Sequence, residues 1–253
     1  MEQQEQILCA ILDAGEALLV SGAEVARVED TMRRMALAYG FTRADVLTIT
    51  ASMVVTAHAP DGAVLTQTRR ILRRETDMRR IEAVNALSRA VCAAPLPLDE
   101  LRARIAAIRD MGGGAPWRMP LAYLLIAGSF AVFFGGSVRD GLAAMLCSMV
   151  LYAIGRAGAR IELQPIVLTV VSAAAMCLAA FLTVWIGLGQ APDTIIIANI
   201  MLLVPGIALV NSLRDMIGGD TISGLLGACE ALLRAVAIAA GCALVLMQLG
   251  GAG

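Results

Sequence analysis

Asn199 to Arg234 reads N-I-M-L-L-V-P-G-I-A-L-V-N-S-L-R-D-M-I-G-G-D-T-I-S-G-L-L-G-A-C-E-A-L-L-R. Two apolar stretches are interrupted by Pro205-Gly206 and joined by a short turn rich in Gly, Asp and Arg. In hydrocarbon every backbone N–H and C=O must be paired, so a break of this kind persists only where protein or a water-filled cavity covers it. The stretch therefore predicts membrane helices, one of which is broken.

The break has two interpretations. A half-helix that begins after Pro205 would offer unpaired N–H groups and a positive dipole end to an anionic solute. Alternatively, Pro205 only kinks a packed helix while Gly206 lets a neighbour approach. A solute pathway is favoured by the polar residues close to the break, which are Asn199, Asn211, Arg214, Asp215 and Asp220.

The composition is that of a membrane protein. Of 253 residues, 58% are hydrophobic and only 16% charged, and the mean hydropathy is +0.76, which is well above the range of ordinary soluble domains. Fourteen of the 20 basic residues precede Arg118, so a polar N-terminal half is followed by an apolar C-terminal half. The net charge of -1 leaves no basic surplus for phosphates, which argues against nucleic-acid binding.

The polar half has the pattern of a small α+β domain, predicted over residues 1–94. Apolar residues at helical spacing alternate with a Val- and Thr-rich stretch around the turn Pro60-Asp61-Gly62. The predicted elements are helices at 7–20, 23–39 and 77–91 and a hairpin or small meander between 45 and 68. An amphipathic helix ending near Met111 and a Gly-rich linker, 112–116, make up a connecting region over 95–116.

The apolar half, residues 117–253, is predicted to form about five transmembrane helices, since a span needs about 17 to 25 residues. The segments are 117–136, 138–155, 165–188, 194–213 and 221–249. The second segment is the shortest. The alternative is that the first two segments form a re-entrant hairpin. The predicted fold class is an α-helical polytopic membrane protein with an N-terminal cytoplasmic α+β domain.

Arginines near the segment ends predict the orientation. Arg139 falls on one side, and the others fall on the side of the N-terminal domain: Arg109, Arg118, Arg156, Arg160 and Arg214. The start, Met1 to Gln6, also lacks the basic and apolar regions of a signal peptide. We therefore expect a cytoplasmic N-terminus and a C-terminus on the opposite side. An odd number of spans cannot form two equal inverted halves unless another chain supplies the rest.

Charged residues inside the apolar half are candidates for function. Glu230 and Arg234 lie four residues apart on one helix face and are predicted to pair, either as part of a pathway or as a structural ion pair. Arg214 is the first choice for a substrate carboxylate, because a guanidinium binds planar anions through two hydrogen bonds. Asp140, like Asp215 and Asp220, lies at a segment end, where a hydrated turn is expected.

Other kinds of site find little support. The dense charge of residues 21–31 is typical of a solvated helix face. His58 is the only histidine, and with no Cys nearby it cannot build an ordinary zinc site. Neither G-x-S-x-G nor a P-loop is present. We predict no enzymatic activity, no cofactor and no bound metal.

Three motifs resemble the threonine/serine exporter family. They are S-G-A-E-V-A-R-V-E-D-T at 21–31, D-G-A-V-L-T-Q-T-R-R-I at 61–71 and V-P-G-I-A-L-V-N-S-L-R-D-M-I-G-G-D at 204–220. The resemblance covers nearly the whole chain. The motif positions that carry over are Gly22, Glu24, Arg27, Glu29, Asp30, Pro205, Gly206, Asn211, Arg214, Asp215, Gly219 and Asp220.

The resemblance implies more than the residues alone. Full-length members look like ten-span proteins, whereas this chain is similar to the larger subunit of the split, two-component type. That likeness implies a location in the bacterial inner membrane, with the C-terminus in the periplasm. It also implies a smaller integral-membrane partner and export of a small carboxylate, either a C4-dicarboxylate such as succinate or threonine and serine. Assembly of this chain as a homo-oligomer is a further alternative.

Two functions of different classes follow. The first is an exporter subunit whose pathway is lined by Asn199, Pro205, Gly206, Asn211, Arg214, Asp215, Asp220, Glu230 and Arg234. The second is a membrane-anchored cytoplasmic enzyme or a regulatory sensor domain, in which the spans serve only as a tether. A tether needs no polar groups within its helices, so Asn199, Asn211 and Glu230 favour the exporter.

Overall fold

The computed structural model describes residues 2–72, 75–112 and 115–249. Of the predicted Gly-rich linker, Gly113 and Gly114 lie outside the described residues. Within the described ranges the chain forms α1 (Glu2–Val20), α2 (Val25–Ala38), β1 (Arg43–Ile49), β2 (Ser52–His58), β3 (Val64–Arg70), α3 (Met78–Ala93), α4 (Leu98–Arg109), α5 (Arg118–Phe133), α6 (Val138–Arg160), α7 (Pro165–Trp185), α8 (Pro192–Leu203), α9 (Gly206–Ile217) and α10 (Thr221–Leu249).

The chain divides into two compact units that do not follow the predicted boundaries throughout. One unit joins Met1–Gly112 to Ile207–Ala228, and the other joins Gly113–Gly206 to Cys229–Gly253. The predicted division placed all of 117–253 together. The difference lies in 207–228, whose polar groups bind the N-terminal elements as described below.

The sheet of the first unit is an antiparallel meander in the order β1-β2-β3. Along β2 the side chains alternate, with Met53, Val55 and Ala57 fully buried, as a strand with one covered face requires. The turn before β3 has the chemistry expected from its sequence, because Asp61 accepts a hydrogen bond from the Ala63 N–H at 3.1 Å and Gly62 adopts a positive φ of 84°.

Helices α1 to α4 complete the core of this unit. Leu8, Ile11 and Leu18 of α1 and Met32 and Met35 of α2 are all fully buried. The edge of the core carries ion pairs: Arg69 of β3 and Arg109 of α4 both reach the carboxylate of Asp13 on α1, at 2.5 and 3.2 Å. Apolar burial and these contacts fix α1 against the sheet and α4.

The second unit is built from close helix contacts between small residues. Ala127 of α5, Ala143 and Ala144 of α6 and Ala173 of α7 are fully buried in its core. Against α7, a Cβ on Gly241 of α10 would lie only 2.8 Å from the Ala173 Cβ. Small residues let backbones approach closely, which is how helices associate where lipid replaces water.

The number of spans predicted from the sequence is only partly supported. Among the described residues, α6, α7 and α10 are long and apolar enough to cross a membrane, and the α8–α9 pair makes a fourth if it counts as one broken span. Helix α5 has 16 residues, or about 24 Å, against about 30 Å of hydrocarbon. The prediction that the second segment is the shortest was wrong, because α6 continues to Arg160 and has 23 residues.

Candidate functional site

The helix break at Pro205 is present. Helix α8 ends at Leu203, and Val204 adopts an extended conformation with φ -65° and ψ 126°, because the ring of a following proline disfavours helical geometry. Helix α9 begins at Gly206, directly after Pro205. The local prediction of an interrupted helix is therefore confirmed, while its use as a solute pathway stays a prediction.

Helix α9 has an unusual distribution of polarity. Its buried residues are the polar Ser212 and Asp215, whereas Val210, Leu213 and Ile217 are exposed by 52%, 48% and 89%. A helix on a soluble domain buries its apolar face. The reverse arrangement suits a helix whose polar face contacts protein and whose apolar face contacts lipid.

The polar face of α9 binds the N-terminus of α2. The Asp215 carboxylate accepts a hydrogen bond from the Val25 N–H at 3.2 Å, and the Asn211 amide donates to the Gly22 carbonyl at 2.9 Å. Gly22 itself adopts a positive φ of 84°, a conformation that glycine takes without strain. We call Ile207–Ala228 the docked segment, because these contacts hold it on the N-terminal elements of its own unit.

An ion pair lies beside these hydrogen bonds. Arg214 Nη1 donates to Glu24 Oε1, and Arg27 approaches the same oxygen at 3.9 Å. The Glu24 side chain is 19% exposed, while the Arg214 side chain is 58% exposed. One carboxylate therefore lies between two cations, both of which are accessible from solvent.

A second group of contacts lies at the start of α10. The buried Ser223 hydroxyl donates to the Thr48 carbonyl at 3.3 Å, and the Thr48 N–H donates to Glu29 Oε1 at 2.6 Å. Burial of the side chain raises the pKa of Glu29 above its ordinary value, and the charges of Asp220 and Asp215 raise it further against the lowering effect of the Thr48 N–H. Glu29 is thus an acid held close to other acids.

The turn between α9 and α10 allows both helices to reach the N-terminal elements. Gly219 adopts a φ of 101°, and the Asp220 N–H donates to the Asp215 carbonyl at 2.9 Å, which is how helices commonly end at a left-handed glycine. Beyond the turn, a Cβ on Gly224 would lie 2.8 Å from the Met216 backbone nitrogen. The hairpin therefore requires glycine at its crossing point.

In the second unit, Asn199 lies in the helix core. Its side chain is fully buried, and its amide group donates to the carbonyls of Ala144 at 3.2 Å and Ile195 at 2.9 Å. The Asn199 Oδ1 atom has no hydrogen-bond partner among the described residues. The side chain thus joins α8 to α6 and leaves one buried acceptor free.

Two predictions about charged residues of the second unit were wrong. Asp140 does not lie in a hydrated turn: it is 2% exposed, and its carboxylate accepts hydrogen bonds from the Gln190 and Ala191 N–H groups at 2.6 and 2.9 Å and from Ser137. Glu230 and Arg234 do not pair, since both are exposed and no ion pair within 4.0 Å joins them in the part of the chain that the structure describes.

The structure therefore brings together only part of the predicted site. Asn211, Arg214, Asp215 and Asp220 lie on the docked segment, while Asn199 and Glu230 belong to the second unit. Gly22, Glu24 and Glu29 were not predicted to belong to the site, because the dense charge of residues 21–31 is typical of a solvated helix face. The signal that could have indicated this contact is the presence of two charge-rich motifs, at 21–31 and 204–220. Their paired residues, Glu24 and Arg214, lie 190 positions apart.

The fold and these polar helices define a helical membrane protein. The family model for the threonine/serine exporters matches residues 10–249, and the chain belongs to this family. It is 24% identical over 250 residues to the probable threonine/serine exporter of Mycobacterium tuberculosis, covering 98% of this chain and 47% of that protein. It is 26% identical over 240 residues to the threonine/serine exporter of Corynebacterium glutamicum, covering 90% of this chain and 48% of that protein.

The chain thus spans about half the length of the curated relatives it matches. No solved structure matches the chain.

Proposed function

We propose that this chain is a subunit of an inner-membrane exporter for a small metabolite that carries a carboxylate. The substrate is a C4-dicarboxylate such as succinate, or threonine and serine. The observation that carries the proposal is the position of Arg214: an accessible guanidinium on the helix that follows the Pro205 break, in a chain of the threonine/serine exporter family. A guanidinium in such a place is suited to a carboxylate solute.

We further propose that a smaller integral-membrane chain supplies the remaining spans. The chain matches 47% and 48% of its two relatives, and at most four spans are found among the described residues. Exposed charges on a membrane helix also support a partner, because a charge facing hydrocarbon costs about 2.5 to 3.5 kcal/mol on insertion scales. Glu230 and Arg234 would then face the partner or a water-filled pathway.

The orientation belongs to the same proposal. With the N-terminus in the cytoplasm and the C-terminus in the periplasm, the docked segment lies at the cytoplasmic end of the route. Asn199, whose Oδ1 has no partner among the described residues, would line or brace the route.

Everted membrane vesicles test the proposal, because their cytoplasmic face is outward and export appears as uptake. Vesicles are prepared from cells that express this chain, a candidate smaller chain with the remaining apolar spans, both chains or neither. We expect saturable uptake of labelled succinate or labelled threonine only with both chains. Equal uptake of both solutes in all four preparations would contradict the proposal.

A further inference from the structure

The Arg214–Glu24 ion pair has two properties that distinguish it from an ordinary surface pair. First, its carboxylate has a second cation, Arg27, at 3.9 Å from the same oxygen. Second, the exposures are unequal: the Glu24 side chain is 19% exposed and the Arg214 side chain 58%. A solute therefore has access to the guanidinium while the internal carboxylate stays partly covered.

A guanidinium has five N–H donors and offers a planar carboxylate two forks of paired N–H groups, one made by the two terminal nitrogens and one by Nε and a terminal nitrogen. In the structure one nitrogen, Nη1, is used by Glu24. An incoming carboxylate can take the fork made by the two terminal nitrogens of Arg214 only if Glu24 gives up this bond. Glu24 would then keep a charge partner, because Arg27 lies in the first turn of α2, three residues after Glu24.

We propose that Glu24 is an internal stand-in for the substrate carboxylate. In the resting state Glu24 occupies Arg214, and a carboxylate solute displaces it toward Arg27. This inference rests on the proposed function and assigns to that site a specificity-determining residue.

The exchange suits a transporter for energetic reasons. One charge-assisted hydrogen bond is replaced by another of the same kind, so the net free-energy change is small and the solute can leave again. A solute without a carboxylate offers no replacement and leaves the pair closed. Meanwhile the Asp215–Val25 and Asn211–Gly22 hydrogen bonds keep the docked segment in place.

Two variants change the competition in opposite directions. Glu24→Gln removes the internal competitor, so the half-saturating solute concentration in everted vesicles is expected to fall roughly fivefold. Arg27→Gln removes the second partner of Glu24, so Glu24 holds Arg214 more firmly and the half-saturating concentration is expected to rise. Arg27 is 49% exposed, so its replacement leaves the core intact even where Glu24→Gln disturbs folding.

The double variant separates competition from a structural role. Once Glu24 is Gln, the second change, Arg27→Gln, is expected to have no further effect on the half-saturating concentration. A purely structural pair would instead make both single variants weaker. Glu100→Gln is the matched control, because Glu100 forms an exposed ion pair with Arg104 on α4 at 2.6 Å, and it should leave uptake unchanged.

The outcomes distinguish this inference from the proposed function. If wild type takes up the solute, two results overturn the inference alone. One is a half-saturating concentration that is unchanged or higher in Glu24→Gln. The other is a half-saturating concentration that is unchanged in Arg27→Gln. Absence of uptake of succinate and of threonine by wild type, with both chains present, overturns the proposed function and the inference with it.

Discussion

The Asp215 carboxylate caps the N-terminus of α2 through the Val25 N–H, although the two residues are 190 positions apart. Helix N-termini usually take their cap from the residue that precedes the helix. Here Glu24 occupies that position, forms no side-chain cap and pairs with Arg214 instead. The N-terminal motif therefore reaches its full set of contacts only when the docked segment is present.

Replacement of Asp215 tests this cap. We expect Asp215→Ala to lower the free energy of unfolding by about 1 kcal/mol, the usual effect of losing a cap. Asp215→Asn is the matched control, because an asparagine oxygen can accept the same bond and should keep most of the stability. Thermal unfolding of the detergent-purified chain measures both, and equal stability of wild type and Asp215→Ala would contradict the cap.

The raised pKa of Glu29 predicts a pH dependence. An acid whose pKa is higher in the folded state binds its proton more tightly there than in the unfolded state. Its favourable contribution to the free energy of unfolding is therefore present below pH 4.5, the ordinary pKa, and is lost as pH rises through the raised pKa. We expect Glu29→Gln to be more stable than wild type at neutral pH and to have a flatter stability profile as pH rises above the ordinary value of 4.5. Asp215 and Asp220 supply the facing charges.

The control for Glu29 is Glu29→Ala. The Thr48 N–H donates to Glu29 Oε1 at 2.6 Å. Glutamine keeps an acceptor for this N–H group, whereas alanine removes it. Alanine should therefore be less stable than glutamine at every pH. A wild-type profile that matches Glu29→Gln would show that Glu29 does not titrate abnormally.

Asn199 allows a test of the membrane helix core. Loss of its hydrogen bonds to Ala144 and Ile195 in Asn199→Ala should cost about 1 kcal/mol. Asn199→Asp should be worse at neutral pH, because it places a charge at a fully buried position. Thermal unfolding at neutral and at acidic pH checks this, with partial recovery of the aspartate variant expected on acidification; equal stability of both variants at neutral pH would contradict the buried position.

Asp140 is predicted to be structural rather than part of the route. Its carboxylate accepts hydrogen bonds from the Gln190 and Ala191 N–H groups and from the Ser137 hydroxyl. Asp140→Ala should therefore destabilise the chain by about 2 kcal/mol or more. Asp193 is the control, because it is another acid at the start of a helix, and Asp193→Ala should cost much less. Similar effects of the two changes would contradict the special role of Asp140.

Local sequence features predicted much of the architecture. The proline break, the turn at Pro60-Asp61-Gly62, the meander and the four N-terminal helices follow from short-range rules of backbone geometry and periodicity. The start of α9 directly after Pro205 is a consequence of the missing proline N–H and fixed φ. Such features need no knowledge of the rest of the fold.

The site could be predicted only in part, because its contacts join distant residues. Helical spacing correctly placed Glu230 and Arg234 one turn apart on α10, but spacing alone does not determine whether the two side chains pair. The charges of 21–31 were assigned to solvent, since nothing local shows that Arg214 and Asp215 bind there. Likewise, Asp140 lies near a segment end in sequence but is buried by the α7–α8 connection.

The most direct test of the proposed route is the rate of solute uptake by Arg214→Gln in everted vesicles that contain both chains. We expect initial uptake of the transported carboxylate to fall at least about tenfold relative to wild type. The control Arg104→Gln, which removes another ion-paired, solvent-accessible arginine from α4, should leave uptake unchanged. Uptake at the wild-type rate by a correctly folded Arg214→Gln chain would contradict the assignment of this guanidinium to the pathway.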